Sequence, residues 1–459
     1  MLRTLGAYVA RQPLLAKPDA LAFLIVAVVL VLKLVSVTLY VPASRSLFDL
    51  GFSFDPYVKA LVEGKGFVGC EDFGCHRSSR MPAVPYFLAF MAQFTQSYKV
   101  VAYIKVLLLS GMSFFAIRAF ARAFRPSTPV AVGLAALITL VLMFSPSMTK
   151  HMGALHYEEG YLIEIVAATT LLTLALLVRG PAGFSLPVAI GAVLLAALGY
   201  LIKSSQVLVL VTVSVIAISL ALMAARRGAA LLLLALAVAA PAGWLTHNYT
   251  TAKRITVMSS YDGENMFRGW NANTLKLYPQ CGLDVLFTDL NRCQGKVLDL
   301  PHEISRGGFK DEWSWNDAYK ARALDWIKAN PGEALKTFAV KFVTVTAWPR
   351  LVPHVLEDDT TRQERYRGTA EELLAGAWIV VGRLIEFFGL GLALVMIAKG
   401  DGRARAIGAA SLMMCACYAA PYILGFGVER HFSILILMSS LCTIVLASEW
   451  QRLKALPRG

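Results

Sequence analysis

The chain has 459 residues, 57% of them hydrophobic and only 16% charged, which excludes a soluble protein built from two or three charged-surface domains. The formal charge of +14 does not indicate nucleic acid. The basic residues sit at the ends of apolar runs, as in Arg118/Arg122/Arg125, Arg226/Arg227 and Arg403/Arg405, which is the pattern of cytoplasmic flanks in a membrane protein.

Arg3, Arg11 and Lys17 precede an apolar run from about Leu21 to Tyr40. That run is too long for the core of a secretory signal peptide and suits an uncleaved anchor. Apolar runs of about 20 residues, enough to cross a ~30 Å hydrocarbon core, recur along the chain. They predict spanning helices near 20–41, 100–120, 129–147, 160–178, 186–202, 205–224, 229–246, 374–398, 406–425 and 431–448. The expected fold is an all-α polytopic membrane protein of about ten spans. It divides into an amino-terminal membrane module (1–246), an outer loop region (247–333), a segment at 334–350, and carboxy-terminal helices (351–459). With the amino terminus inside, the basic clusters and the tail (Arg452, Lys454, Arg458) are cytoplasmic. Residues 42–99, 148–159, 247–373 and 426–430 then face outward. Segment 334–350 is apolar but short, and Lys336 and Lys341 interrupt it. It reads as an interfacial or re-entrant helix; as a span, it would invert everything downstream.

The first outer loop opens with Phe54-Asp55-Pro56-Tyr57 and leaves through Gly64-Lys65-Gly66. A carboxylate at the mouth of a membrane helix, partly desolvated yet facing water, suits a general base. The simpler alternative is that Asp55 caps the following helix, with Pro56 at its first position. Downstream, Arg80-Met-Pro82-Ala-Val-Pro85-Tyr86 places an Arg at a helix start, where it can bind phosphate bidentately. Cys70 and Cys75 lie in this loop and Cys281 and Cys293 in the larger one. Two outer pairs fit disulfides in an oxidising compartment, with zinc at Cys70, Cys75 and His76 as the alternative.

Lys33, Lys105, Glu164, Lys203, Arg383 and Glu386 lie at membrane depth by the span map, where ionisable groups are costly and mark function or pairing. Arg383 and Glu386 are three apart and positioned to pair. Lys203 stands apart, in the polar hinge Lys203-Ser-Ser-Gln206 between two spans, where an ammonium with hydroxyls can hold a lipid phosphate. His151 and His156, followed by Glu158 and Glu159, open the fourth span. The acids suit a helix amino terminus, and the His spacing matches no strong metal template. Glu429-Arg430-His431 forms a charged triplet in the last outer turn, either an anion site or a capped turn with an internal Glu–Arg pair.

In this order, these features resemble the polyprenyl-phosphate-dependent glycosyltransferases of the GT-C superfamily, and within it the bacterial relatives of protein O-mannosyltransferases and aminoarabinose transferases. The resemblance rests on Asp55, Tyr57, Ala60, Leu61 and Gly64/Gly66; on Arg80, Pro82 and Pro85; and on Glu158 or Glu159 opening the fourth span. It extends through the Asn-rich run Ser259–Asn273, which includes Asn265, and through 323–331 leading to Lys336, Lys341 and Trp348-Pro349. It ends at Glu429-Arg430-His431, where His431 stands in place of the family's usual aromatic.

The resemblance implies an inverting transfer of a sugar from a polyprenyl-phosphate donor to an acceptor hydroxyl on a glycan, lipid or protein, at the periplasmic face of a bacterial inner membrane. Asp55 would be the base; Arg80, Lys203 and Arg430 would bind the donor phosphate. Tyr57, His156, Glu158, Glu159, Asn265, Glu429 and His431 are the further substrate-site candidates. No cofactor is implied, and His156 with Glu159 leaves a divalent metal open. The other function class that fits the charges is a transporter or flippase for a lipid-linked sugar or other anionic substrate.

Overall fold

A computed structural model describes residues 18–41, 43–48, 54–71, 74–124, 159–278, 292–293, 296–297, 309–347, 370–427 and 429–455. Among these, eight helices are long and apolar enough to cross a membrane: Asp19–Leu39, Tyr98–Phe124, Gly160–Arg179, Ser204–Met223, Arg227–Ala252, Ile379–Lys399, Gly402–Leu424 and His431–Lys454. A ninth expected span is the apolar 17-residue helix Leu186–Ile202, and the expected span 129–147 lies outside the described residues. The only described strands form two small antiparallel ladders, Gly69–Glu71 with Gly74–His76 and Arg292–Cys293 with Lys296–Val297. The chain is therefore an all-α, multi-pass membrane protein.

We number the helices α1 (Pro18–Tyr40), α2 (Asp55–Val62), α3 (Ala83–Ala92), α4 (Tyr98–Phe124), α5 (Glu159–Arg179), α6 (Leu186–Ile202), α7 (Val207–Met223) and α8 (Arg227–Ala252). They continue as α9 (Asp262–Gly269), α10 (Thr274–Leu277), α11 (Glu312–Ala329), α12 (Pro331–Ala347), α13 (Ala370–Lys399), α14 (Gly402–Leu424) and α15 (Glu429–Ala455). Helix α5 is the axle of the bundle, buried at every position from Gly160 to Val178. The outer helices expose large apolar side chains, among them Phe23, Leu39, Phe115, Leu231 and Leu384. Water would penalise so broad an apolar surface, whereas lipid accepts it. Close approach comes from small residues. Gly382 and Gly389, seven apart on α13, lie so near Ile436 and Thr443 of α15 that a Cβ at either would collide, as in small-residue packing of membrane helices.

The charges inside the bundle are accounted for by pairing. Lys33 on α1 forms an ion pair with Glu164 on α5, both almost fully buried. The Lys105 ammonium lies 3.8 Å from the centre of the Tyr161 ring, and Arg383 meets Glu386 at 2.6 Å, as their spacing predicts. Removing one partner of a buried pair leaves the other charge uncompensated, whereas replacing both costs little. Lys33→Met should therefore destabilise the protein by about 3–5 kcal/mol. The double variant Lys33→Met/Glu164→Leu should recover most of that loss, read by thermal unfolding in detergent; no recovery would mean the pair is not what holds α1 to α5.

Several basic residues at helix ends are held by acidic partners. Arg118 and Arg122 both bind Asp19 at 2.8 Å. Arg403 and Arg452 bind Glu449 at 2.7 and 2.6 Å, and Arg452 also reaches Asp401 at 2.8 Å. Asp401 caps α14 by accepting from the Ala404 amide at 2.8 Å. That bond and Arg452 hold its carboxyl below the usual range.

One end of the bundle collects the segment after α1, the α6–α7 hinge, the α8–α12 region and the α14–α15 turn, and here the structure refines several expectations. Helix α2 begins at Asp55, with Phe54 as the N-cap and no side-chain capping bond. The expected arrangement, Asp55 as cap and Pro56 as first residue, is thus displaced by one position. The Cys-bounded loop is a hairpin closed by a Cys70–Cys75 disulfide, so these sulfurs are not free thiolate ligands for zinc. Helix α11 starts three residues before Trp315, because Asp311 and Ser314 form a capping box. Asn330 ends it, and Pro331 then opens α12, where a proline's missing N–H costs nothing. In α12, Thr337, Lys341 and Thr344 are buried while Leu335, Phe338, Phe342 and Val343 are exposed. Its polar stripe thus faces protein and its apolar stripe faces outward, the reverse of a water-exposed helix.

Candidate functional site

The α2 helix and the loop behind it form the first wall of the site. Gly64 and Gly66 adopt φ of +71° and +81°, which explains the Gly-x-Gly exit, because other residues strain there. Tyr57 is buried, and its hydroxyl lies 2.7 Å from Ser79 Oγ. Burial and the nearby Glu312 carboxylate push the Tyr57 phenol well above its usual range, so it acts as a neutral hydrogen-bonding group. Next to Ser79, the Arg80 guanidinium lies 5.8 Å from the Phe54 ring centre and 4.9 Å from that of Tyr261. Asp55 directly follows Phe54 and is partly buried. The proposed base and the first proposed phosphate ligand thus belong to neighbouring elements.

Glu312, in the first turn of α11, ties this wall to the second. Its carboxylate accepts from the Arg77 amide at 2.8 Å, the Ser78 amide at 3.0 Å and the Ser260 hydroxyl at 2.6 Å. His76 Nδ1 lies 3.9 Å away. The Ser260 amide donates to the Ser78 carbonyl at 2.9 Å, so two remote loops are laced together just ahead of Arg80 and Tyr261. Burial raises the Glu312 pKa, and the three donors oppose that rise.

The hinge after α6 supplies the next groups. Lys203 is extended, Ser204–Gln206 form a single 3-10 turn, and α7 follows. Lys203 Nζ lies 3.0 Å from His431 Nε2. The His431 ring stacks on Tyr422 with centroids 4.0 Å apart, and the Tyr422 hydroxyl lies 3.3 Å from Ser205 Oγ. Lys203, expected to bind the donor phosphate, and His431, expected in the substrate site, are thereby in direct contact.

Ser204 leads to a carboxylate the sequence reading overlooked. Its hydroxyl reaches Asp262 Oδ1 at 3.5 Å, while Asp262 Oδ2 is sealed from solvent with no hydrogen-bond partner among the described residues. Burial lifts the Asp262 carboxyl to about 7, against the pull of Ser204, Ser259 and Lys320. Near neutrality this group gains and loses a proton readily, as an acid–base residue does. Because its folded value lies above the ordinary 3.8, the folded state holds the extra proton. Stability should therefore fall as pH rises from about 4 to about 7, then level off. Asp262→Asn removes the titration, so its melting temperature should gain on wild type across that window. An offset constant with pH would show that Asp262 is not a buried titrating acid.

Lys341 closes the far side. Its ammonium is fully buried and donates to the carbonyls of Gly425 at 2.7 Å and Gly269 at 3.1 Å. It also lies 3.8 Å from the Trp270 ring centre. Burial holds its pKa well below the usual lysine range. Gly269 abuts the Gly425 carbonyl so closely that a Cβ would collide. The α9 carboxyl end and the α14–α15 turn are therefore pinned to each other. Asn265 sits within this contact, its carbonyl 3.7 Å from where a Gly425 Cβ would project.

Of the expected site residues, the structure joins Lys203 to His431 and places Tyr57 in α2 with Asp55 and Arg80 in the segment that packs on it through Ser79, with Asn265 on α9. His156, Glu158 and Cys281 lie outside the described residues, as do the side chains of Glu159, Glu429, Arg430 and Cys293. Among the described residues no group of three or more His, Cys, Asp or Glu is placed to hold a metal. Tyr261, Asp262 and Glu312 were missed. Glu312 had a usable signal, the Asp311-x-x-Ser314 cap at a helix start; Asp262 had only its place after two serines. Comparison with protein-family models, curated proteins and solved structures yields no match to this chain.

Proposed function

We propose that the protein is an inverting glycosyltransferase that moves a sugar from a polyprenyl-phosphate donor to an acceptor hydroxyl, at the end of the bundle where these loops converge. The observation that carries this reading is a chain of contacts at the end of a membrane bundle: Arg80 on Tyr261, Ser78 and Ser260 with Glu312, Ser204 with Asp262 and Lys203 with His431. An amphiphile bearing a phosphate can reach such a place from the lipid, and a hydrophilic acceptor can reach it from water. Asp55 takes the acceptor proton as the hydroxyl attacks the anomeric carbon. Arg80 and Lys203, joined by Arg430, stabilise the departing phosphate. A phosphate leaves without a separate acid, so cations suffice. With basic clusters facing the cytoplasm, the site faces the periplasm of a bacterial inner membrane, where a disulfide at Cys70–Cys75 is stable.

The intramembrane pairs Lys33–Glu164 and Arg383–Glu386 favour a structural role for those charges. This counts against the transporter reading, which needs them to bind cargo. Lipid mass spectrometry of the purified protein tests the proposal. An isoprenoid phosphate or its glycosylated form should co-purify with wild type and be depleted in Arg80→Ala and Lys203→Ala. Equal recovery from wild type and both variants would remove these residues from the phosphate site.

A further inference from the structure

Helices α6 and α7 both meet the Lys203 hinge, and each has 17 residues, about 25 Å of rise. The turns at their far ends, 180–185 and 224–226, therefore lie across the bundle from that hinge. The two turns touch, because the Arg226 guanidinium lies 5.7 Å from the Phe184 ring centre. Arg226 is fixed there by the bonds that end α7, from the Ala225 amide to the Leu222 carbonyl at 2.9 Å and from its own amide to the Ala221 carbonyl at 2.8 Å. Arg179 packs against Gly183, the residue before Phe184, and Arg227 opens α8. Three arginines thus share one corner of the bundle.

No acid in either turn offsets them. Among the described residues, none of the three arginines has an ion pair or a side-chain hydrogen bond. Arg118, Arg122, Arg403 and Arg452, by contrast, are all held by carboxylates. The carboxylate at the start of α14, Asp401, is committed to Arg452 and the Ala404 amide. The amino end of α8 adds to the positive field, since its first turn holds no acid and its N-cap, Arg226, makes no side-chain capping bond. Leu222 and Met223 before the turn and Leu231 after it are exposed, so the corner is continuous with the apolar outer surface of the bundle.

We propose that Arg179, Arg226 and Arg227 bind the headgroup phosphate of an anionic phospholipid in the leaflet opposite the Lys203 hinge. A guanidinium meets a phosphate through two parallel hydrogen bonds, and long basic side chains at helix ends reach from an apolar surface to the headgroup level. The apolar flank selects a lipid over a soluble anion, because acyl chains cover Leu222, Met223 and Leu231 while the phosphate meets the arginines. The uncompensated charge selects an anionic headgroup, because a zwitterion brings its own cation and leaves all three positive charges unbalanced. This site is separate from the proposed transfer and does not depend on it.

The test is native mass spectrometry of the full-length protein in detergent, titrated with phosphatidylglycerol or phosphatidylcholine. Wild type should retain phosphatidylglycerol in preference to phosphatidylcholine. Arg179→Gln, Arg226→Gln and Arg227→Gln should each weaken phosphatidylglycerol binding about fivefold, the effect of one basic residue near an anionic headgroup. The triple variant should show no preference. Phosphatidylglycerol should also raise the melting temperature of wild type but not of the triple variant. Melting without lipid verifies that each variant folds, and the single variants decide the matter should the triple variant not fold.

Arg403→Gln is the control, because it changes the net charge by the same amount but removes an arginine already paired with Glu449. Binding like wild type in this variant supports a defined site. A loss equal to that of Arg226→Gln would mean a diffuse charge effect and overturn the proposal. So would equal binding of the two lipids by wild type, or an unchanged preference in the glutamine variants at the corner. Displacement of the lipid by an equal concentration of inorganic phosphate would make the occupant a soluble anion and overturn it as well.

Discussion

Asp55→Asn is expected to lower sugar transfer by about 10²- to 10⁴-fold, the range ascribed to a positioned general base, while leaving donor binding close to wild type. The amide keeps the size and polarity of the carboxylate but not its basicity. Asp55 occupies the first position of α2 and Phe54 is the N-cap, and the amide keeps hydrogen-bonding capacity at that position, so α2 should survive. Electrostatic attraction of the residue to the helix amino terminus is worth only ~0.3–1 kcal/mol, too little to explain a loss of that size through unfolding. Single-turnover measurements separate the chemical step from product release. Turnover within about tenfold of wild type would leave the base unassigned and make Asp262 the next candidate.

The second large effect concerns stability. Glu312→Ala should destabilise the protein by about 2–4 kcal/mol, because two backbone amides and the Ser260 hydroxyl lose a shared acceptor, and of these the part-buried Ser78 amide and Ser260 hydroxyl each cost about 1–3 kcal/mol if left unsatisfied, not fully additively. It should also loosen the Ser78–Ser260 seam that carries Arg80 and Tyr261, so activity should fall along with melting temperature. Glu312→Gln keeps an acceptor oxygen and should restore most of the stability. Should the alanine variant melt like wild type, the seam is held by something other than this carboxylate.

How much of this was legible in the sequence follows from range. Span positions rest on runs of about 20 apolar residues, a local signal, and every expected span within the described residues falls on a helix. The Gly-x-Gly exit, the hinge at Lys203 and the Arg383–Glu386 pair were readable for the same reason. The start of α2 was misjudged by one residue because Pro56 suits either of the first helical positions. The Lys203–His431 contact joins residues 228 positions apart, and nothing in either local sequence announces the other. Asp262 and Glu312 were hidden because what distinguishes them is burial. An aspartate or glutamate in the first turn of a helix is commonplace, and only the packing of α9 and α11 against the first loop removes these two from water. Lys341 looked like a defect in an apolar segment, and its meaning depends on two carbonyls that come from elsewhere in the chain.

The most direct test of the transferase is the fate of the donor lipid. Purified protein in nanodiscs would receive a panel of radiolabelled polyprenyl-phosphate sugars, with and without envelope glycan, lipid and protein acceptors, and the lipid phase would be resolved by chromatography. The account predicts that one sugar-lipid is consumed only when an acceptor is present, that free polyprenyl phosphate appears in equal amount, and that Asp55→Asn abolishes both. If every sugar-lipid persists intact with every acceptor, or only changes leaflet, the protein is not a glycosyltransferase.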